Sequence, residues 1–318
     1  MRFKRSVHFT TDCFASVFKL LLYRVITGLI FYSLIFLILH LGLSFIMRSE
    51  ELATLQGMLP EFVRTVATGD SAELTAFQES VHTALENFAN LLGANMGSII
   101  GSIIGVCAMY ILQRFTNGLA IFAVGSTVND RMSSYAHTRF ANAYFLNIGK
   151  AALYQLVYVP LAFIYDLLSV LACWFLFFYI PTLFPAWEAA AILFSIGLTI
   201  TVMVCLQALK LTIISAWMPA MIADGKSVLG ALKETAEVRK DFTRRFGGYL
   251  TACYLIVFVN ASFAVFTAGS GLLITVPLSF IFLIVMQFVN YYELKGKKYF
   301  TAKDVISGPD DDMPEQAE

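Results

Sequence analysis

The chain has 318 residues, 58% of them apolar, with 22 basic and 22 acidic side chains and no net charge. Only 14% are charged, where a soluble domain carries about 25%, so too little charge exists to coat a water-facing surface or to grip nucleic-acid phosphates. A polytopic membrane protein remains, and the number of crossings follows from uncharged stretches long enough to traverse about 30 Å of hydrocarbon, roughly 20 helical residues each.

An amphipathic, basic segment occupies residues 1–24, and 23 residues free of Asp, Glu, Lys and Arg follow between Arg24 and Arg48. This predicts a first span at about 25–47. It is too long for a cleavable leader and lacks an Ala-x-Ala exit, so it is expected to stay as an anchor. Residues 48–88 hold seven acids against two arginines, an acidic external segment whose second half carries apolar residues at helical spacing from Leu74 to Phe88 behind a capping-box pair, Asp70 and Glu73.

The second span, about 89–112, contains Gly93, Gly97, Gly101 and Gly105 at every fourth position. Small residues in this pattern let helix backbones approach closely where no hydrophobic force pulls helices together. The strip is therefore a candidate helix-packing face, toward another helix of this chain, a second copy or a partner protein. Residues 113–150 form a polar, basic segment.

The third span, about 152–180, is interrupted by a single charge, Asp166, near its middle. An intramembrane carboxylate costs several kcal/mol unless it faces a cavity or a partner, so Asp166 is the leading candidate for a substrate or proton site, with Tyr165, Tyr158 and Gln155 as polar neighbours. Desolvation would favour its protonated form and make it a proton carrier; the alternative is a carboxylate satisfied by neighbouring helices. Pro160 frees a backbone carbonyl nearby.

The fourth span lies at about 189–209. Residues 210–246 then mix apolar and charged side chains at helical spacing, which predicts a surface helix, and Lys233, Lys240, Arg244 and Arg245 are candidates for lipid headgroup contact. Between Arg245 and Glu293 stand 47 uncharged residues with Gly269-Ser270-Gly271 in the middle. This predicts a hairpin of spans five and six, about 247–268 and 272–292, followed by a tail, 293–318, that is acidic at its end and expected to be disordered.

The resulting fold class is an all-α integral membrane protein of six transmembrane helices arranged as three hairpins with cytoplasmic amphipathic helices. Of the 22 basic residues, 20 fall on the side that holds both termini. Cytoplasmic loops carry the excess of Lys and Arg, so both termini are expected in the cytoplasm. Gln113, Gln207 and Gln287 each precede by seventeen residues an aspartate, Asp130, Asp224 and Asp304, and each aspartate precedes a serine by three, which suggests a repeated hairpin unit. The five cysteines lie in spans or on the reducing side, where no disulfide framework forms.

The charged stretch around Ala231-Leu232-Lys233, the pair Phe242 and Phe246, and the run Asn290-Tyr291-Tyr292-Glu293-Leu294-Lys295 resemble uncharacterised bacterial polytopic families. The likeness is closest to the membrane region that accompanies some glycerophosphodiester phosphodiesterases. It covers mainly residues 204–298, with Glu293 and Lys295 where those proteins tend to carry Asp and Arg. The resemblance implies a bacterial cytoplasmic membrane; the catalytic barrel of those enzymes is absent. Gly225-Lys226-Ser227 lacks the earlier glycine of a phosphate loop, and no zinc, nucleophile or dinucleotide motif is present. The sequence thus points to a protein that is not an enzyme, needs no cofactor, touches the bilayer and no nucleic acid, and binds or moves a small solute or lipid around Asp166. A non-catalytic scaffold or accessory subunit is the alternative.

Overall fold

In a computed structural model the described residues are 2–68, 71–183, 188–237, 241–302 and 305–307. In chain order the helices are α1 (Arg2–Asp12), α2 (Ala15–Gly42), α3 (Ser44–Met47), α4 (Glu50–Thr68), α5 (Ser71–Ala94), α6 (Met96–Ser134), α7 (Phe140–Leu183), α8 (Glu188–Ile214), α9 (Trp217–Ala223), α10 (Val228–Glu237), α11 (Phe242–Phe266) and α12 (Leu272–Leu294). The strands β1 (Tyr299–Ala302) and β2 (Val305–Ser307) pair antiparallel. Among the described residues six helices are long and apolar enough to cross a membrane, and the chain is a multi-pass membrane protein. Helix is the required solution here, since every backbone N–H and C=O in hydrocarbon must be bonded within the segment.

Two compact units form. One comprises residues 26–113. Within it the Ser98 hydroxyl donates to the Gly42 carbonyl at 2.7 Å, and Ile38 lies against Gly105. Helices α4 and α5 pack side by side, with Phe62 and Phe77 rings 5.8 Å apart.

The other unit comprises residues 1–25 with 114–318. Its core gathers Phe122, Val124, Val128 and Met132 of α6, Tyr154 of α7, Trp217 of α9, and Ile281, Val285, Phe288 and Tyr291 of α12. Helix α12 is the central element: half of its most apolar window is buried, against 6% for α2. The amphipathic α1 turns its apolar face onto this core, Phe3 meeting Phe282 edge-on at 5.4 Å and Phe9 lying 5.9 Å from Tyr299. Helix α10 does the same through Ala231, fully buried, while Trp217 Nε1 donates to the Val228 carbonyl.

Two glycines place the charged ends of this unit. Gly225 and Gly296 both have φ +66, a left-handed conformation that costs a residue with a Cβ. The first turns the chain from α9 into α10, and the second reverses it from α12 toward β1. Where the sequence suggests a disordered tail, residues 299–302 and 305–307 form the hairpin, because Tyr299 is drawn into the core at 1% exposure. Residues 308–318, Asp70 of the expected capping box and Asp304 of the expected repeat lie outside the described residues.

Candidate functional site

Asp166 has two cationic partners. Arg114 Nη2 of α6 donates to its Oδ2, Lys210 Nζ of α8 donates to its Oδ1 at 2.7 Å, and Gln207 Nε2 reaches Oδ1 at 3.5 Å. Gln207 and Lys210 converge because residues three apart share a helix face. One residue away, the Tyr165 hydroxyl donates to the Leu206 carbonyl at 2.7 Å and fixes α7 against α8. The ion-paired side chains are only partly accessible, 25% for Arg114 and Asp166 and 11% for Lys210.

Of the four residues that the sequence proposes for this site, three gather around it. Tyr165 also lies beneath Lys210, whose Nζ is 6.0 Å from the ring centroid. Tyr158 stacks on Tyr154 at 5.3 Å and lies close enough to Arg114 and Asp166 to sense both charges. Gln155 belongs instead to the core: it is 2% exposed and fills the notch above Gly118, where an added Cβ would lie 2.1 Å from its Cδ. Gln207, a polar residue within span four, is one that the sequence offers as an interior partner of Asp166; Arg114 and Lys210 are absent from the sequence-derived set because a charge bordering an uncharged stretch reads as the end of a span.

The 47 uncharged residues between Arg245 and Glu293 fold as α11 and α12 around a turn at 267–271, so each arm spans roughly one hydrocarbon thickness. Arg245 borders this uncharged stretch. Its Nη1 donates to Ser215 Oγ at 3.0 Å and approaches the Thr212 carbonyl at 3.5 Å. Lys210 precedes Ser215 by five residues, about 7 Å along a helix. The cations beside Asp166 explain why a carboxylate is tolerated in an apolar run.

The other candidates separate. Gly105 packs on Ile38, whereas nothing approaches within 4 Å of a Cβ built on Gly93, Gly97 or Gly101; the contact with α2 runs along the serine face of α6 through Ser98 and Ser102. Lys233 and Arg244 are exposed. Arg245 is turned inward at 4% exposure, with its guanidinium held by the bonds above, and is not presented to headgroups. Lys240 lies outside the described residues.

A second ionic network closes the charged end of the same unit. Glu234, whose side chain is 2% exposed, pairs with Lys226 and Lys295; Asp224 pairs with Lys297; Glu293 accepts from Arg5 at 3.1 Å and from the Tyr299 hydroxyl at 3.0 Å. The Tyr291 hydroxyl donates to Asp224 at 2.6 Å and lies 3.4 Å from Glu234. Burial pushes both carboxyls up, but the lysine contacts outweigh it and hold Asp224 and Glu234 below their ordinary range. Burial, helped by the Glu293 charge, raises the Tyr299 hydroxyl above its ordinary value.

Among the described residues no three His, Cys, Asp or Glu side chains converge as metal ligands. No protein-family model, curated protein or solved structure matches the chain.

Proposed function

We propose that the protein binds or carries a small solute or lipid at the Arg114–Asp166–Lys210 cluster, with Tyr165, Tyr158 and Gln207 around it. The observation that supports this reading most directly is the convergence of two cations on one carboxylate among long apolar helices, where charge is expensive and commonly marks a binding path. The basic bias of the sequence supports a cytoplasmic-membrane orientation with both termini inside. Lys233 and Arg244, both exposed, supply general attraction to anionic headgroups on that side.

The test compares small molecules and lipids that co-purify with the wild type and with the double variant Asp166→Asn, Lys210→Met, by mass spectrometry after extraction in mild detergent. A molecule lost in the variant is expected; an identical set in both proteins overturns the reading. The open glycine positions favour a second reading, an accessory subunit that packs on another protein or copy through Gly93 of α5 and Gly97 and Gly101 of α6. Gly97→Leu then releases a partner on native gels, and an unaltered complex counts against it.

A further inference from the structure

The end of α12 and the turn that follows it present a basic face. Lys295 pairs with Glu234 and Lys297 with Asp224, and the Tyr291 hydroxyl reaches both carboxylates, 2.6 Å from Asp224 and 3.4 Å from Glu234, so the two ammonium groups stand close together. Neither is saturated. An ammonium has three N–H donors, each of these two is paired with one carboxylate oxygen, and the side chains keep 33% and 38% of their surface exposed. Lys298 follows at an exposed position outside these pairs.

The chain itself carries an acidic segment next to this face. Residues 308–318 hold five carboxylates, Asp310, Asp311, Asp312, Glu315 and Glu318, and no Lys, Arg or His. Antiparallel pairing sets Ser307 opposite Tyr299, so the direction of β2 beyond Ser307 points back along residues 298 to 295. Distance permits contact. Asp310 to Asp312 follow Ser307 by three to five residues, at most about 10 to 18 Å of chain, and Lys295 precedes Tyr299 by four, at most about 14 Å. A single exposed ion pair is weak and screened by salt, but several carboxylates tethered beside several lysines through Gly308 and Pro309 act at an effective concentration that a free anion rarely matches.

We propose that Lys295, Lys297 and Lys298 form a docking surface for an acidic peptide segment, and that its occupant is residues 310–315 of this chain. The segment then lies over the point where α9, α10 and α12 are joined, and an anionic group of another molecule gains these lysines only by displacing it.

Full-length protein in mild detergent at low salt, an equal mixture of unlabelled and nitrogen-15-labelled chains, is treated with a carbodiimide, which joins a carboxylate to an amine only where the two touch. The joined peptides are read by mass spectrometry. Asp310, Asp311 or Asp312 joined to Lys297 or Lys298 of the same chain is expected. In parallel, acetylation rates of Lys295, Lys297 and Lys298 are compared between the wild type and the variant Asp310→Asn, Asp311→Asn, Asp312→Asn, whose changes lie outside the packed core. The wild type reacts about fivefold more slowly, as a few exposed ion pairs acting together allow. The difference closes at about 0.5 M salt, where the screening length falls to about 4 Å, and Lys150, exposed on α7, reacts alike in both proteins. Equal rates in the two proteins overturn the proposal, and so does a rate difference without the joined peptides, which is a field effect and not contact. Joined peptides found only between labelled and unlabelled chains overturn the own-chain occupant and assign the face to a second copy.

Discussion

The two ionic clusters have the same arithmetic and different surroundings. The network at the charged end sets Arg5, Lys226, Lys295 and Lys297 against Asp224, Glu234 and Glu293, one cation in excess, as in the cluster at Asp166. Yet its three lysines keep 33% to 39% of their side chains exposed, so water solvates the surplus, whereas Lys210 keeps 11% within an uncharged layer. The first is a staple that joins α1, α9, α10 and α12. The second joins α6, α7 and α8 through side chains that less water reaches.

This comparison breaks if matched changes cost the same in both places. The largest effect is expected from Asp166→Leu, which leaves Arg114 and Lys210 side by side without their anion and costs about 3 kcal/mol or more, read as a lowered unfolding midpoint in detergent. Lys210→Met, which leaves a neutral pair, costs far less; equal losses would mean that charge balance is unimportant there. Glu234→Leu also strands two cations, Lys226 and Lys295, but both can relax into water, so about 2 kcal/mol is expected. A loss as large as that at Asp166 would remove the distinction between the two clusters.

Acid sharpens it further. Asp224 and Glu234 have depressed folded values, so their contribution is complete above the ordinary carboxyl range and is lost as pH falls through the folded values, below about 4. Protection factors of α10 amides, with the intrinsic pH dependence of exchange divided out, are therefore expected to stay level from pH 8 to pH 5 and to fall below that window; a fall already near neutrality would contradict the assignment. The smallest effect belongs to Tyr291→Phe, which removes the hydroxyl bond to Asp224 at 2.6 Å at about 1 kcal/mol, seen as a small shift of the same midpoint.

Much of this architecture is legible from residue order alone. Apolar runs bounded by charges locate α2, α6, α8, α11 and α12, because hydrocarbon imposes a minimum length that water-soluble helices need not meet. Asp166 is also legible, since any carboxylate in such a run is conspicuous. Its partners are not: Arg114 and Lys210 lie 52 and 44 residues away, and only the packing of α6, α7 and α8 brings them together. The staple hides for the opposite reason. Lys226, Glu234, Lys295 and Lys297 look like ordinary surface charges, and nothing in their spacing reveals that Gly225 and Gly296 turn them toward one another. Gln155 was misplaced because polarity within an apolar run suggests a site, while the empty side of Gly118 accommodates it as core.

The contact between α1 and α12 also bears on how the chain is made. Arg5 and Glu293 are 288 residues apart, so at ribosomal speeds roughly 15 to 60 s separate the synthesis of one from that of the other. Phe3 and Phe9 have no partner in Phe282 and Tyr299 until α12 emerges, and during that interval the apolar face of α1 must be sheltered by lipid or by a chaperone. Completion of the core is consequently a late event in biogenesis, and a chain truncated before α12 leaves the apolar face of α1 without Phe282 and Tyr299.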